Sequence, residues 1–159
     1  FNITSYFNLV LNNQDPDKDY RWFSFGDYGM DLYSNGVMVS RKLLTSNPKA
    51  VAGLVRAINK GMMAVAKDQG AGTKAALNFD NQINADVEKR RLQFSFDKLI
   101  VSPEMKEIGV GDVKDERMKR AIGIVVEGYQ LTRAPAPSEI FSREFLPPKA
   151  ERELVYTAN

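Results

Sequence analysis

The residues best suited to chemistry lie in one stretch, Phe25-Gly26-Asp27-Tyr28-Gly29-Met30-Asp31-Leu32-Tyr33-Ser34-Asn35-Gly36, which gathers aromatic faces, carboxylates, an amide and three glycines. Aromatic walls with a few fixed polar groups are what a small-molecule pocket requires. The same stretch reads equally as a connection between two strands whose tyrosines cap the core. Three other clusters carry less. Asp15, Asp17 and Asp19 alternate like the start of a calcium loop, but Tyr20 stands where the loop glycine belongs and Gly26 where the final glutamate does, which favours a solvated turn. Gly70-Ala71-Gly72-Thr73-Lys74 lacks the spacing that wraps a nucleotide phosphate and reads as a helix break. Lys89-Arg90-Arg91 has no aromatic interleaving and sits beside Asp86 and Glu88, so it reads as a solvated or ion-paired helix face.

Composition removes whole classes of mechanism. The chain has no Cys and no His, which excludes thiol nucleophiles, the usual zinc ligand sets and serine-histidine triads; Asp, Glu, Lys or Tyr would have to carry any catalysis. No cofactor and no metal is expected. Twenty-two basic and 20 acidic residues leave a formal charge of +2, too balanced to point to nucleic acid or an anionic membrane. No apolar run approaches the roughly 20 residues needed to span a bilayer, and the chain as given is expected to be soluble. The 159 residues, 43% of them apolar, fit one domain or a piece of a larger protein.

The elements that must position these residues follow from spacing. Thr4 to Leu11 predicts a short helix stopped by the polar run 12–17. Tyr20 to Phe25 and Val37 to Ser40 are rich in strand formers and predict two strands flanking the loop. Asn47 as N-cap and Pro48 at the first helical position open the strongest helix, with Val51, Leu54, Val55, Ile58, Met62 and Val65 as one apolar stripe expected to pack on a core. Met30, Met62 and Met63 read as core filling. A short helix over 74–79, a charged helix capped by Asn84 and reaching Leu99, and a last helix from Asp115 to Tyr129 complete the pattern. Beyond it, Arg133 to Pro137 and Leu146 to Pro148 forbid regular helix, so Ile140, Phe141 and Phe145 are expected to pin an extended tail. The fold class is α/β but helix-rich. Two strands cannot build a sheet alone, and since the chain opens at Phe1 inside an apolar segment, a preceding portion is expected to supply the others.

From Gly26 to Leu44, with Asn47-Pro48, the sequence resembles solute-binding proteins of the NMT1/THI5-like family, extracytoplasmic receptors of ABC importers. Lys89 to Gln93, Leu99 to Glu104, Ile108 to Val113 and Phe145 to Arg152 are similar to the later part of its members. The resemblance implies the C-terminal half of a two-lobed type II periplasmic-binding-protein fold. Residues 1–36 would finish the second lobe, and 37–159 would be the crossing strand and the helical completion of a truncated first lobe. Ligand contacts would fall at Asn2, Thr4, Ser5 and Tyr6, where a strand end meets a helix start, and at Asp27, Tyr28, Gly29 and Asn35 near the cleft.

The function so implied is binding rather than turnover: a small polar or aromatic solute, an ABC permease as partner, and a periplasmic or lipid-anchored location whose export signal is not in this chain. Some THI5-like relatives make a pyrimidine thiamin precursor, but that chemistry depends on histidine, absent here. The alternative is a helical protein-interaction module without a small-molecule ligand, suggested by the amphipathic helices. In either case apolar surface left bare predicts self-association of the chain.

Overall fold

The structure, a computed structural model, describes residues 2–157. Asn2–Leu11 forms α1, Arg41–Ser46 α2, Pro48–Lys67 α3, Gln69–Phe79 α4 and Ala85–Ser95 α5. A π-helical turn, Phe96–Ile100, continues α5 before α6 at Pro103–Ile108, α7 at Asp115–Gly128 and a single turn, α8, at Pro137–Ile140. Helix α1 packs on α5, α5 on α4, α4 on α3 and α3 on α2, so the first five helices stand as a row of neighbours.

Local chemistry sets the helix starts. The side chains of Ser40, Asn47, Asp68, Asn84 and Ser102 accept the backbone N–H three residues on, each satisfying one of the donors that a helix leaves open at its N-terminus. Asp68 also ends the preceding helix, its N–H bonding to the Ala64 carbonyl at 2.9 Å. The break expected at 70–73 is therefore one residue, Asp68, and α4 begins at Gln69. Gly72 lies inside α4 at its contact with α3: a Cβ there would stand 2.7 Å from Val65 Cγ1. The glycine serves close helix approach rather than termination.

The two expected strands do not form, and no strand occurs among the described residues. Strand propensity expresses fit to a half-buried pleated surface, and no described segment lies alongside 20–25 or 37–40 to provide one. Ser24 and Ser40 keep extended backbones, with φ −84° and −67°, but without a ladder. The aromatics of the first run bond back to the preceding loop instead. Tyr20 Oη donates to Gln14 Oε1 at 2.6 Å, and Trp22 Nε1 donates to the Pro16 carbonyl at 2.9 Å. The run then closes in a 3-10 turn, Phe25–Tyr28. Helix-rich describes the chain; the β part of the α/β expectation is not present among the described residues.

The core is small. Phe7 and Phe96 are the largest fully buried side chains, joined by Val51, Val87, Met105 and Ala121. The α3 stripe is only partly covered: Val51 is buried, but Leu54 and Ile58 are 44% and 43% exposed, while Asn59, outside the stripe, is buried. Met62 and Met63 are half-buried, while Met30 is exposed.

Of the residues expected to pin the tail, Phe141 and Phe145 are half-buried and Ile140 is not. Pro137–Ile140 makes a turn of helix after all, because Pro is tolerated at a first helical position, and Ile140 points out, 57% exposed. Arg152, 5% exposed, is the anchor. It donates to the carbonyls of Pro147, Ile108 and Val110 at 2.8, 3.2 and 2.9 Å and pairs with Asp112 at 3.5 Å. Its own carbonyl accepts from Val110 N–H at 2.9 Å. Gly109 makes room, with φ +85° and space for a Cβ only 3.0 Å from Arg152 Nη1.

Candidate functional site

Helix α1 presents Tyr6 and Phe7 to α5. The Tyr6 ring lies 4.9 Å from Phe94, 5.1 Å from Phe7 and 5.9 Å from Trp22, centroid to centroid, and the Arg91 guanidinium covers Phe7 at 5.2 Å. Tyr6 Oη donates to Asp17 Oδ2 at 2.6 Å, which fixes the ring. That hydrogen bond, then burial, raises the phenol pKa above its ordinary value.

Two depressions open beside this ring, of about 250 and 380 Å³. The first is walled by Tyr6 and Phe7 from α1 and by Arg90, Gln93, Phe94, Asp97 and Lys98 from α5 and its π-helical continuation. The second runs along the loop after α1, past Gln14, Asp15 and Asp17, and shares Tyr6 and Arg90 with the first. The α5 residues fall at i, i+3, i+4, i+7 and i+8, one helical face, and π-helical turns recur at functional sites. Asp97 accepts from Tyr156 Oη at 2.6 Å on one oxygen and from Gln93 Nε2 at 2.8 Å on the other. The Tyr156 bond, then the Gln93 bond, hold its carboxyl below the usual carboxylate range. Tyr156 in turn stacks on Phe96 at 5.1 Å.

The expected ligand contacts are not brought together. Asn2, Thr4 and Ser5 are exposed on the first turn of α1, where Asn2 Oδ1 already accepts from Ile3 N–H at 2.7 Å, and Tyr6 alone of the eight lines these two depressions. Asp27 and Tyr28 lie in the 3-10 turn that Gly29 ends at φ +91°; these three and Asn35 are exposed and line neither depression. Tyr28, 72% exposed, caps no core.

The neighbouring Asp31 and Tyr33 instead pin the loop to the second half of the chain. Arg117 pairs with Asp31 at 2.6 Å and with Glu104 at 3.5 Å, and lies 4.3 Å above the Tyr33 ring. Tyr33 Oη donates to Glu104 and accepts from Lys114 N–H at 2.7 Å.

The minor motifs resolve locally. Asp15 pairs with Lys18 at 3.0 Å, and Asp19 accepts from Asp15 N–H at 3.2 Å. Among the described residues no group of three His, Cys, Asp or Glu is arranged to hold a metal ion. Of the basic run, Arg91 pairs with Glu88 at 3.1 Å.

Every expected contact residue lies in the segment bounded by α1 and the first turn of α4, and that segment is where a known family appears. Residues 2–71 match the NMT1/THI5 like family model. No curated protein and no solved structure was found to match the chain. The NMT1/THI5-like family is mainly one of solute-binding, periplasmic-binding-like proteins, typically extracytoplasmic. No helix among the described residues is long and apolar enough to cross a membrane.

The NMT1/THI5-like match ends before α5, so Arg90, Gln93, Phe94, Asp97 and Lys98 lie outside it. Their spacing is that of an ordinary charged helix, so nothing in the sequence marks them as site residues. Tyr156 is equally silent, because a lone tyrosine near a chain end carries no pattern. Two of the later runs, 108–113 and 145–152, both outside the family match, meet in space at Arg152.

Proposed function

We propose that this chain is part of the solute-binding component of an ABC uptake system, working outside the cytoplasmic membrane and handing a small polar or aromatic solute to a permease. The observation that carries this reading is the family match over residues 2–71, which includes all eight expected contact residues, Asn2, Thr4, Ser5, Tyr6, Asp27, Tyr28, Gly29 and Asn35. In this reading residues 1–36 finish one lobe and 37–159 contribute the crossing segment and helices of the other; Phe1, Ala158 and Asn159 lie outside the described residues. Solute bridging two lobes stabilises the closed arrangement by its differential affinity for it. Binding is the whole activity, and neither cofactor nor metal enters it. Tyr6, held by Asp17 and flanked by Phe94, offers a planar solute a fixed aromatic face.

The test is a thermal-melt screen of the full-length protein against pyrimidines, sulfonates, nitrate and aromatic carboxylates. A compound that binds the folded state raises the melting temperature by mass action. The reading expects at least one such compound, with its shift lost in Tyr6→Ala and reduced in Asp27→Ala or Tyr28→Ala. A second reading, a helical protein-interaction module, is favoured by exposed Phe25, Tyr28, Met38 and Phe79, at 76%, 72%, 94% and 96%. It expects no shift with any compound.

A further inference from the structure

The depression between α1 and α5 has a charge arrangement that the solute-receptor reading leaves unused. Arg90 and Lys98 both line it, and neither makes an ion pair among the described residues. The one carboxylate in the wall, Asp97, has both oxygens occupied, by Tyr156 and Gln93. On the far side of Arg90, Asp17 accepts from Tyr6 and Asp15 pairs with Lys18, so the nearest acids there are also engaged. The remaining wall is aromatic, Tyr6 and Phe94 with centroids 4.9 Å apart. Two cations outside any ion pair, beside an aromatic face, match a ring that carries one negative group.

We propose that this depression binds an aromatic carboxylate, its ring against Tyr6 and Phe94 and its carboxylate at Arg90 and Lys98, with Tyr156 as the positioning residue that orients the Asp97 carboxylate away from an ion pair with Lys98. The proposal rests on the solute-receptor reading and narrows it to a chemical class. About 250 Å³ suits a single-ring compound. Arg90 supplies a planar fork for both carboxylate oxygens, and Lys98 a point charge. Tyr156 holds Asp97 and also accepts from Gln93 Nε2 at 2.7 Å: without its hydroxyl, one Asp97 oxygen is released to pair with Lys98, which is then less available to a solute carboxylate.

Calorimetric titration of the full chain with benzoate, neutral benzamide and cationic benzamidine tests this. Expected are benzoate binding, at least tenfold weaker benzamide binding, and a tenfold or greater loss of benzoate affinity in Arg90→Gln with a smaller loss in Lys98→Gln. Tyr156→Phe, which keeps the ring stacked on Phe96, should weaken benzoate several-fold and strengthen benzamidine. A merely structural tyrosine would weaken both alike. Circular dichroism of each variant verifies folding. Benzoate affinity unchanged in both Arg90→Gln and Lys98→Gln overturns the proposal, as does equal binding of benzoate and benzamide. If benzoate fails while an uncharged pyrimidine binds and Tyr6→Ala abolishes that binding, the carboxylate class falls and the receptor reading stands. If no solute of the wider panel binds, both fall.

Discussion

Arg152 shows at the scale of one residue how little sequence pattern can reveal about a buried charge. Nothing in the run Pro147 to Arg152 distinguishes it from a surface arginine, because its partners are backbone carbonyls at Pro147, Ile108 and Val110. Removing it takes the guanidinium donor from those three carbonyls and one of two arginine partners from Asp112, which keeps Arg143 at 2.8 Å, at a cost of about 3 kcal/mol. Arg152→Met should therefore lower the melting temperature by roughly 6–12 °C. Arg152→Lys should rescue little, since an ammonium cannot span three carbonyls in the plane of a fork; full rescue by lysine in a melting curve would show that charge alone matters.

Tyr156 and Asp97 give a pH signature. The hydrogen bonds from Tyr156 and Gln93 depress the Asp97 pKa, so its contribution is present above the unfolded value, about 3.9, and is lost as pH falls through the lower folded value. Burial, then Asp97, raises Tyr156, whose contribution is present below its unfolded value, about 10, and is lost as pH rises through the folded one. In urea unfolding, the stability gap between the parent and Tyr156→Phe should be constant from about pH 5 to 9 and close at both extremes. A gap that stays constant into acid would show that the pair is not coupled.

At the scale of elements, the fold is legible in the sequence wherever the signal is local and obscure wherever it depends on a neighbour. Caps at Asn47 and Asn84 and the stripe of α7 fix helix position from within the helix, and these helices stand where expected. Strand formation at 20–25 and 37–40 needs a partner segment that no pattern within the run can supply. Gly72 misleads for the same reason: its lack of a Cβ serves Val65 on another helix. The two kinds of helical glycine can be separated by substitution. Gly61, where an added Cβ would meet nothing within 4 Å, should become more stable as Ala by about 1 kcal/mol, the ordinary helix-propensity gain. Gly72→Ala should lose about 1–3 kcal/mol by overpacking, and Val65→Ala in the same chain should recover part of that loss. Equal effects of the two substitutions in chemical unfolding would mean that α3 and α4 do not approach closely at Gly72. The candidate site divides in the same way. Tyr6 was legible as an aromatic at a helix start, whereas its companions on α5 become visible only when α1 docks against that face.

At the scale of the whole molecule, the exposed surface is 11,697 Å² for a mass of 17.9 kDa. A compact monomer of this mass exposes about 8,000 Å². The difference exceeds the roughly 1,600 Å² of a standard protein interface, and it includes Met38, Phe79 and Val155 at 94%, 96% and 84% exposure. The chain should therefore self-associate with rising concentration and bind an apolar dye; light scattering that reports a dye-silent monomer at all concentrations would contradict this. Solute binding is the claim on which the functional account depends, and the only tryptophan is placed to report on it, since Trp22 lies 5.9 Å from Tyr6. The most direct measurement is Trp22 emission during titration of the full-length protein with the solute panel. The account predicts a saturable change with at least one solute that disappears in Tyr6→Ala; emission that stays flat with every solute, in a protein shown to be folded, would contradict it.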